Sequence, residues 1–261
     1  MNIAYAATEA VKEGGIAIHL SAPILGHFFG IPITSTLVMV WCTIILLIIF
    51  AVIGKSKLQL IPGKIQTSVE LLIGGGFEYI AEAFESRDLA QKFFPLIMSI
   101  FIFILALNWI GLVPGVDAIG IFTSVHDKNI LVPFLHPANT DLNITIALAI
   151  VAFVAIECAG IFFLGFWKYG GKFINFSSPL AFLIGIIELF SELARLISFS
   201  FRLFGNIFAG KTLIVIAMFF VPFILPVPLL AFEMFVGFIQ AFIFAVLTLF
   251  FIKLAIQEPQ H

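Results

Sequence analysis

Residues 186–211, IIELFSELARLISFSFRLFGNIFAGK, decide how this chain is read. The stretch is apolar enough for a bilayer, yet it carries Glu188, Glu192, Arg195, Arg202 and Lys211. A charge at the centre of a membrane-spanning helix costs about 2.5–3.5 kcal/mol on insertion scales. An arginine kept there at that cost points to function. At a helical advance of about 100° per residue, Glu188, Ser191, Glu192, Arg195, Ser198, Arg202, Gly205, Asn206 and Ala209 fall within an arc of about 140°. Arg202 lies near the middle of that arc, and Lys211 points elsewhere. The opposite face is Leu, Ile and Phe. Gly205, Ala209 and Gly210 would let another helix come close. A polar stripe with a central arginine suits a passing partner that carries a carboxylate.

The surroundings extend this reading. From Ser178 to Ile256 the chain is apolar except at Val221–Pro228, VPFILPVP, where three prolines end any helix. The first segment, 178–221, would be roughly 66 Å long as one helix, twice the ~30 Å hydrocarbon core. It either breaks near Gly205–Asn206 and crosses twice, or crosses once at a strong incline. In the last segment Glu233 and Gln240 are seven residues apart and share a face. A lone carboxylate inside an apolar run suits a proton carrier.

Upstream, residues 34–53 and 94–113 read as spans of the needed ~20 residues, and 141–166 reads as a somewhat longer third. Segment 60–90 carries apolar residues at helical spacing (Ile65, Val69, Leu72, then Phe77, Ile80 and Phe84) with Gly74–Gly76 between the two runs. That pattern predicts an amphipathic helix, or two, lying on the membrane surface. Residues 1–33 read as an extramembrane arm with an interfacial piece near Ile16–Phe29. Residues 114–140 read as a polar loop, 34–256 as one membrane domain, and 257–261 as a tail. Glu157 in the third span reads as a structural pairing partner, and Arg195 as a partner of carboxylates one turn away.

Composition agrees. The 261 residues are 62% hydrophobic and 11% charged, against about 25% charged in soluble domains. Mean hydropathy is +1.19. The expected class is an all-α polytopic membrane protein with about five membrane helices and one surface helix. A net charge of −2 gives no sign of a nucleic-acid partner. Cys42 and Cys158 lie in apolar runs and read as small core residues. The five histidines show no ligand spacing, so no metal and no cofactor is expected. The N-terminus lacks a basic flank followed by an apolar core, and does not read as an ordinary cleaved signal.

Lys55, Lys57, Lys64, Arg87, Lys92, Lys168 and Lys172 fall on one side of this arrangement, and only Lys12 and Lys128 on the other. The positive-inside rule then predicts the N-terminus outside and the C-terminus inside.

FRLFGNIFAGK (201–211), IQAFIFAVLTLFFI (239–252), PGKIQTSVE (62–70), LNWIGLVPG (107–115) and TDLNITIALA (140–149) together resemble subunit a of F-type ATP synthase. The resemblance runs from about residue 60 to the end. It implies a stator subunit beside a ring of c subunits, with b-type peripheral-stalk subunits and lipid as further partners. It implies no catalytic site on this chain. Two long, inclined last helices are implied, with protons passing through two half-channels. Arg202 matches the family's essential arginine. Asn206, Glu233 and Gln240 match positions associated with the outer half-channel, and Glu188, Ser191 and Ser198 positions associated with the inner one. Lys211 departs from the family, which commonly places a Glu or His there. It could pair with Glu233. A bacterial inner membrane is expected over a mitochondrial one. Two rival readings are a self-contained transporter, which would show inverted repeats, and a structural scaffold, which needs no charged stripe.

Overall fold

The structure is a computed structural model. It describes residues 22–28, 30–56, 58–59, 62–125, 128–171, 173, 179–222 and 224–257. The first 21 residues of the expected arm 1–33, half of the Ile16–Phe29 piece, Lys12, Lys57, Lys172 and all but the first residue of the tail lie outside them.

Five helices are long and apolar enough to cross a membrane. They are α1 (Ser35–Ser56), α3 (Arg87–Gly111), α4 (Leu142–Leu164), α6 (Pro179–Phe220) and α7 (Pro226–Ile256). Helix α2 (Lys64–Phe84) precedes α3, and the short α5 (Phe166–Gly170) follows α4. The chain is an all-α polytopic membrane protein. Most apolar side chains of α1 stand exposed, including Ile45, Ile48 and Phe50. In water such a surface would aggregate; in lipid it is the favourable exterior.

Local chemistry sets the helix ends. The Leu37 amide donates to Thr34 Oγ1 at 3.3 Å, Leu89 to Ser86 Oγ at 3.4 Å, and Asn143 to Asp141 Oδ1 at 2.9 Å. These side chains satisfy amides that the first helical turn leaves unpaired. Pro179 and Pro226 open α6 and α7, where a missing N–H costs nothing. After α4 the chain turns at Gly165, whose φ of 86° a side chain would resist.

Helix α2 runs unbroken through Gly74–Gly76. One helix forms where the sequence allowed one or two. Its Ile65, Leu71 and Leu72 are exposed while Ile80, Ala81 and Phe84 are buried. Helix α6 is likewise continuous over 42 residues, so Gly205–Asn206 is not a break. Its length is roughly 63 Å.

Two short antiparallel ladders were not foreseen. Strands β1 (Ile24–Phe28) and β2 (Ile31–Thr34) pair before α1, and β3 (Gly120–Val125) and β4 (Lys128–Pro133) pair inside the expected loop 114–140. In each ladder the paired strands lie close together in sequence, so the pairing is local and weakly encoded.

Backbone contacts divide the chain into two compact units. The first comprises Met1–Lys57, Ile102–Ile144 and Leu203–Ala241. Its buried residues include Met39, Ile104, Leu107 and Leu203. Within it the Thr36 hydroxyl donates to Asp141 Oδ2 at 2.8 Å, joining the first turns of α1 and α4. The second comprises Leu58–Phe101, Thr145–Arg202 and Phe242–His261. Its buried residues include Ile156, Phe199, Leu249 and Ile252. The division falls inside α6, between Arg202 and Leu203.

Candidate functional site

In the second unit, α6 carries the charged half of the stripe. Arg202 is exposed, and its Nη2 donates to Ser198 Oγ at 3.1 Å, one turn earlier. Among the described residues no carboxylate pairs with Arg202. Arg195 differs. Its Nη1 lies 2.7 Å from Glu192 Oε1 and its Nη2 4.0 Å from Glu188 Oε1, and its guanidinium stands 4.5 Å from the centre of the Phe251 ring. A buried acid and an aromatic face thus fix Arg195. Ser191 is half-buried on the same helix. The i,i+3 pairing expected for Arg195 is present; Arg202 has no such tie.

Glu157 also finds a partner in this unit. The Tyr169 hydroxyl donates to Glu157 Oε2 at 3.0 Å. Gly160 makes this possible, because its missing side chain leaves the space that the Tyr169 ring fills. Burial, then the charge of Glu157 and its hydrogen bond, push the Tyr169 phenol above its usual range, so it stays a donor.

In the first unit, the Asn206 amide donates to Gln240 Oε1 at 2.7 Å, tying α6 to α7. Glu233 is 3% exposed, and among the described residues its Oε1 has no hydrogen-bond partner. Its carboxyl fills the space where a β-carbon on Gly210 would stand, so a side chain at 210 would push the carboxyl aside. Asn108 Nδ2 donates to the Gly237 carbonyl at 2.8 Å, and Asn139 Nδ2 to Asn108 Oδ1 at 2.7 Å. These buried amides form a polar patch one turn along α7 from Glu233.

Lys211 does not reach Glu233 by an ion pair. Its Nζ lies 3.0 Å from Asp117 Oδ2 and 3.3 Å from both ring nitrogens of His136. Asp117 Oδ1 is in turn 3.1 Å from His136 Nδ1. Helical geometry explains the choice: Lys211 points away from the face that Gly210 presents to α7. Burial pushes the Asp117 carboxyl up, but the His136 hydrogen bond and the Lys211 and His136 charges outweigh it and hold it below the usual carboxylate range. A cavity of about 450 Å³ opens beside this cluster, lined by Lys211, Asp117, Asn108, Asn139 and apolar side chains.

Residues 37–253 match the family model described as ATP synthase A chain. The chain belongs to that family. Its relatives include proteins named ATP synthase subunit a from Geotalea uraniireducens (33% identical, covering 84% of this chain and 86% of the relative) and Campylobacter concisus (33%, 85% and 90%). Another, from Trichlorobacter lovleyi, is 32% identical, with 86% and 88% covered. For this member of the ATP synthase A chain family, ATP synthesis, proton transport and membrane-spanning helices follow from membership. Asp117, His136, Asn108, Asn139 and Tyr169 are contact residues that sequence reasoning missed. The polarity of 114–140 was visible, but nothing in a stretch without helical period tells which side chain meets Lys211.

Proposed function

We propose that the chain is the proton-translocating stator subunit of a rotary ATP synthase, and that Arg202 couples proton flow to rotation. The observation that carries this is Arg202 itself: an exposed guanidinium on an apolar helix, with Ser198 its one side-chain hydrogen-bond partner among the described residues, followed on its face by the small residues Gly205 and Ala209. An exposed cation in lipid is costly unless a partner supplies the counter-charge. A ring of c subunits, each presenting a membrane carboxylate, supplies it. Arginine is suited because it does not give up its proton. It draws a deprotonated ring carboxylate toward it and leaves a fixed positive barrier that protons do not cross.

Asn206, Glu233 and Gln240 then serve the outer half-channel, and Glu188, Ser191 and Ser198 the inner one. Glu233, buried and unpaired, receives the incoming proton. Lys211 stands at the outer path as a fixed charge. The membrane is the bacterial inner membrane, with the N-terminus outside, the C-terminus inside and b-type stalk subunits as further partners.

The test is Arg202→Ala in the assembled complex. Proton-driven ATP synthesis in membrane vesicles should fall to background while the c-ring still co-purifies. Coupled synthesis at the normal rate would refute the proposal.

A further inference from the structure

Two neighbouring residues near the end of α3 reach the backbone of α7 beside Glu233. Asn108 Nδ2 donates to the Gly237 carbonyl at 2.8 Å, and Trp109 Nε1 donates to the Met234 carbonyl at 3.1 Å. A carbonyl inside a helix already accepts from the amide four residues on. Its second lone pair takes bonds of this kind. Helix α7 therefore does not need them to satisfy its own backbone; what they fix is its place against α3.

Asn108 is oriented from behind. Asn139 Nδ2 donates to Asn108 Oδ1 at 2.7 Å, which leaves the Asn108 N–H group for α7. Both asparagines are buried, so a lost bond would leave an amide unsatisfied at a cost. Gly237 admits the approach: a β-carbon there would stand 3.1 Å from that of Asn108.

The two accepting residues lie one turn apart, and Glu233 immediately precedes the first. Two bonds at different heights hold a helix in both rotation and height, whereas a single bond would leave it free to pivot. The tip of a helical side chain stands about 6 Å from the axis, so a turn of α7 by about 20° would carry the Glu233 carboxyl about 2 Å. It would then leave the hollow at Gly210 in which it sits. Misplacements on the order of 1 Å are enough to slow a positioned step severely.

We propose that Asn108 and Trp109 are positioning residues for Glu233, setting the rotation and height of α7 at which its carboxyl seats against Gly210. Neither carries the proton. The inference rests on reading Glu233 as the residue that receives the incoming proton.

The test measures passive proton conduction by the complex in membrane vesicles. Trp109→Phe keeps an aromatic ring and loses the N–H; Asn108→Ala loses the amide. Each should slow conduction by about tenfold while the c-ring still co-purifies. Gly210→Ala displaces the same carboxyl from the other side, and so separates positioning from general damage. Added to Gly210→Ala, either substitution should slow conduction less than about twofold further, because the seat is already lost. A merely structural role would multiply the two losses to about a hundredfold. A wild-type rate in either single variant, multiplied losses in the doubles, or failure of Trp109→Phe to assemble overturns the proposal. Trp109→Phe, the milder change, carries the test where Asn108→Ala does not assemble. Glu233→Gln in the same vesicles tests the reading beneath it. Unslowed conduction in Glu233→Gln refutes the proton role of Glu233; slowed conduction there, with a wild-type rate in Trp109→Phe or Asn108→Ala, refutes only the positioning role.

Discussion

Arg202 and Arg195 are both arginines on one face of α6, yet their surroundings assign them different work. Arg195 is held by Glu192 at 2.7 Å and by the Phe251 ring. Among the described residues Arg202 holds Ser198 alone, and it is exposed. The same contrast separates the acids. Asp117 is paired with both Lys211 and His136, and Glu233 is buried beside Gly210 with no ion partner among the described residues. Pairing has a consequence in acid. The Asp117 carboxyl is depressed in the folded chain, so the unfolded chain binds more protons as pH falls. Its stabilising contribution is present above the ordinary carboxylate value of about 3.9 and is lost as pH falls through the depressed value. Thermal unfolding of the purified subunit in detergent should show this acid-side loss. Asp117→Asn should be less stable at neutral pH by about 1 kcal/mol, and part of the acid slope should vanish. An identical slope in the variant would show that the pairing does not contribute.

At the scale of elements, glycines decide how close helices come. Gly210 on α6 is filled by the Glu233 carboxyl from α7, whereas a β-carbon at Gly205 would meet nothing within 4 Å. Substitutions at the two positions should therefore separate. Gly210→Ala should displace Glu233 and slow proton conduction by about tenfold, the lower end of what one positioned proton-transfer group contributes. Gly205→Leu should leave the stability of the isolated subunit unchanged, because its surroundings are open. In the complex it should lower ATP synthesis, because the proposed ring helix would pack against that face. Full synthesis in Gly205→Leu would argue that nothing packs there. Both substitutions are read against thermal unfolding of the subunit and synthesis by membrane vesicles. Gly160 follows the rule within the second unit, where Tyr169 takes the room and reaches Glu157.

For the whole molecule, five helices are long and apolar enough to cross a membrane, and one crossing by each would put the two ends of the membrane region on opposite sides. In the proposed topology the lysine and arginine distribution places the N-terminus outside and the C-terminus inside. A cysteine placed at Gln257, after replacing the native Cys42 and Cys158, should react with an impermeant reagent only from the inner side. One placed at Pro114, between α3 and β3, should react only from the outer side. The reverse pattern would overturn the proposed direction of proton flow.

Sequence alone determined the class, the five helices long and apolar enough to cross a membrane and the stripe on α6. These depend on runs of twenty apolar residues and on a 3.6-residue period, both local properties that the bilayer enforces. It also marked Arg202, because a charge in such a run is costly wherever the rest of the chain goes. Tertiary structure decided who meets whom. It kept α6 whole through Gly205–Asn206, gave Lys211 to Asp117 and His136 instead of Glu233, and placed Glu233 on Gly210. Those outcomes depend on contacts between residues 75 or more positions apart for Lys211 with His136 and Asp117, and on the absence of one methyl group at Gly210. Neither leaves a periodic trace in the chain, so neither is legible until the helices are packed.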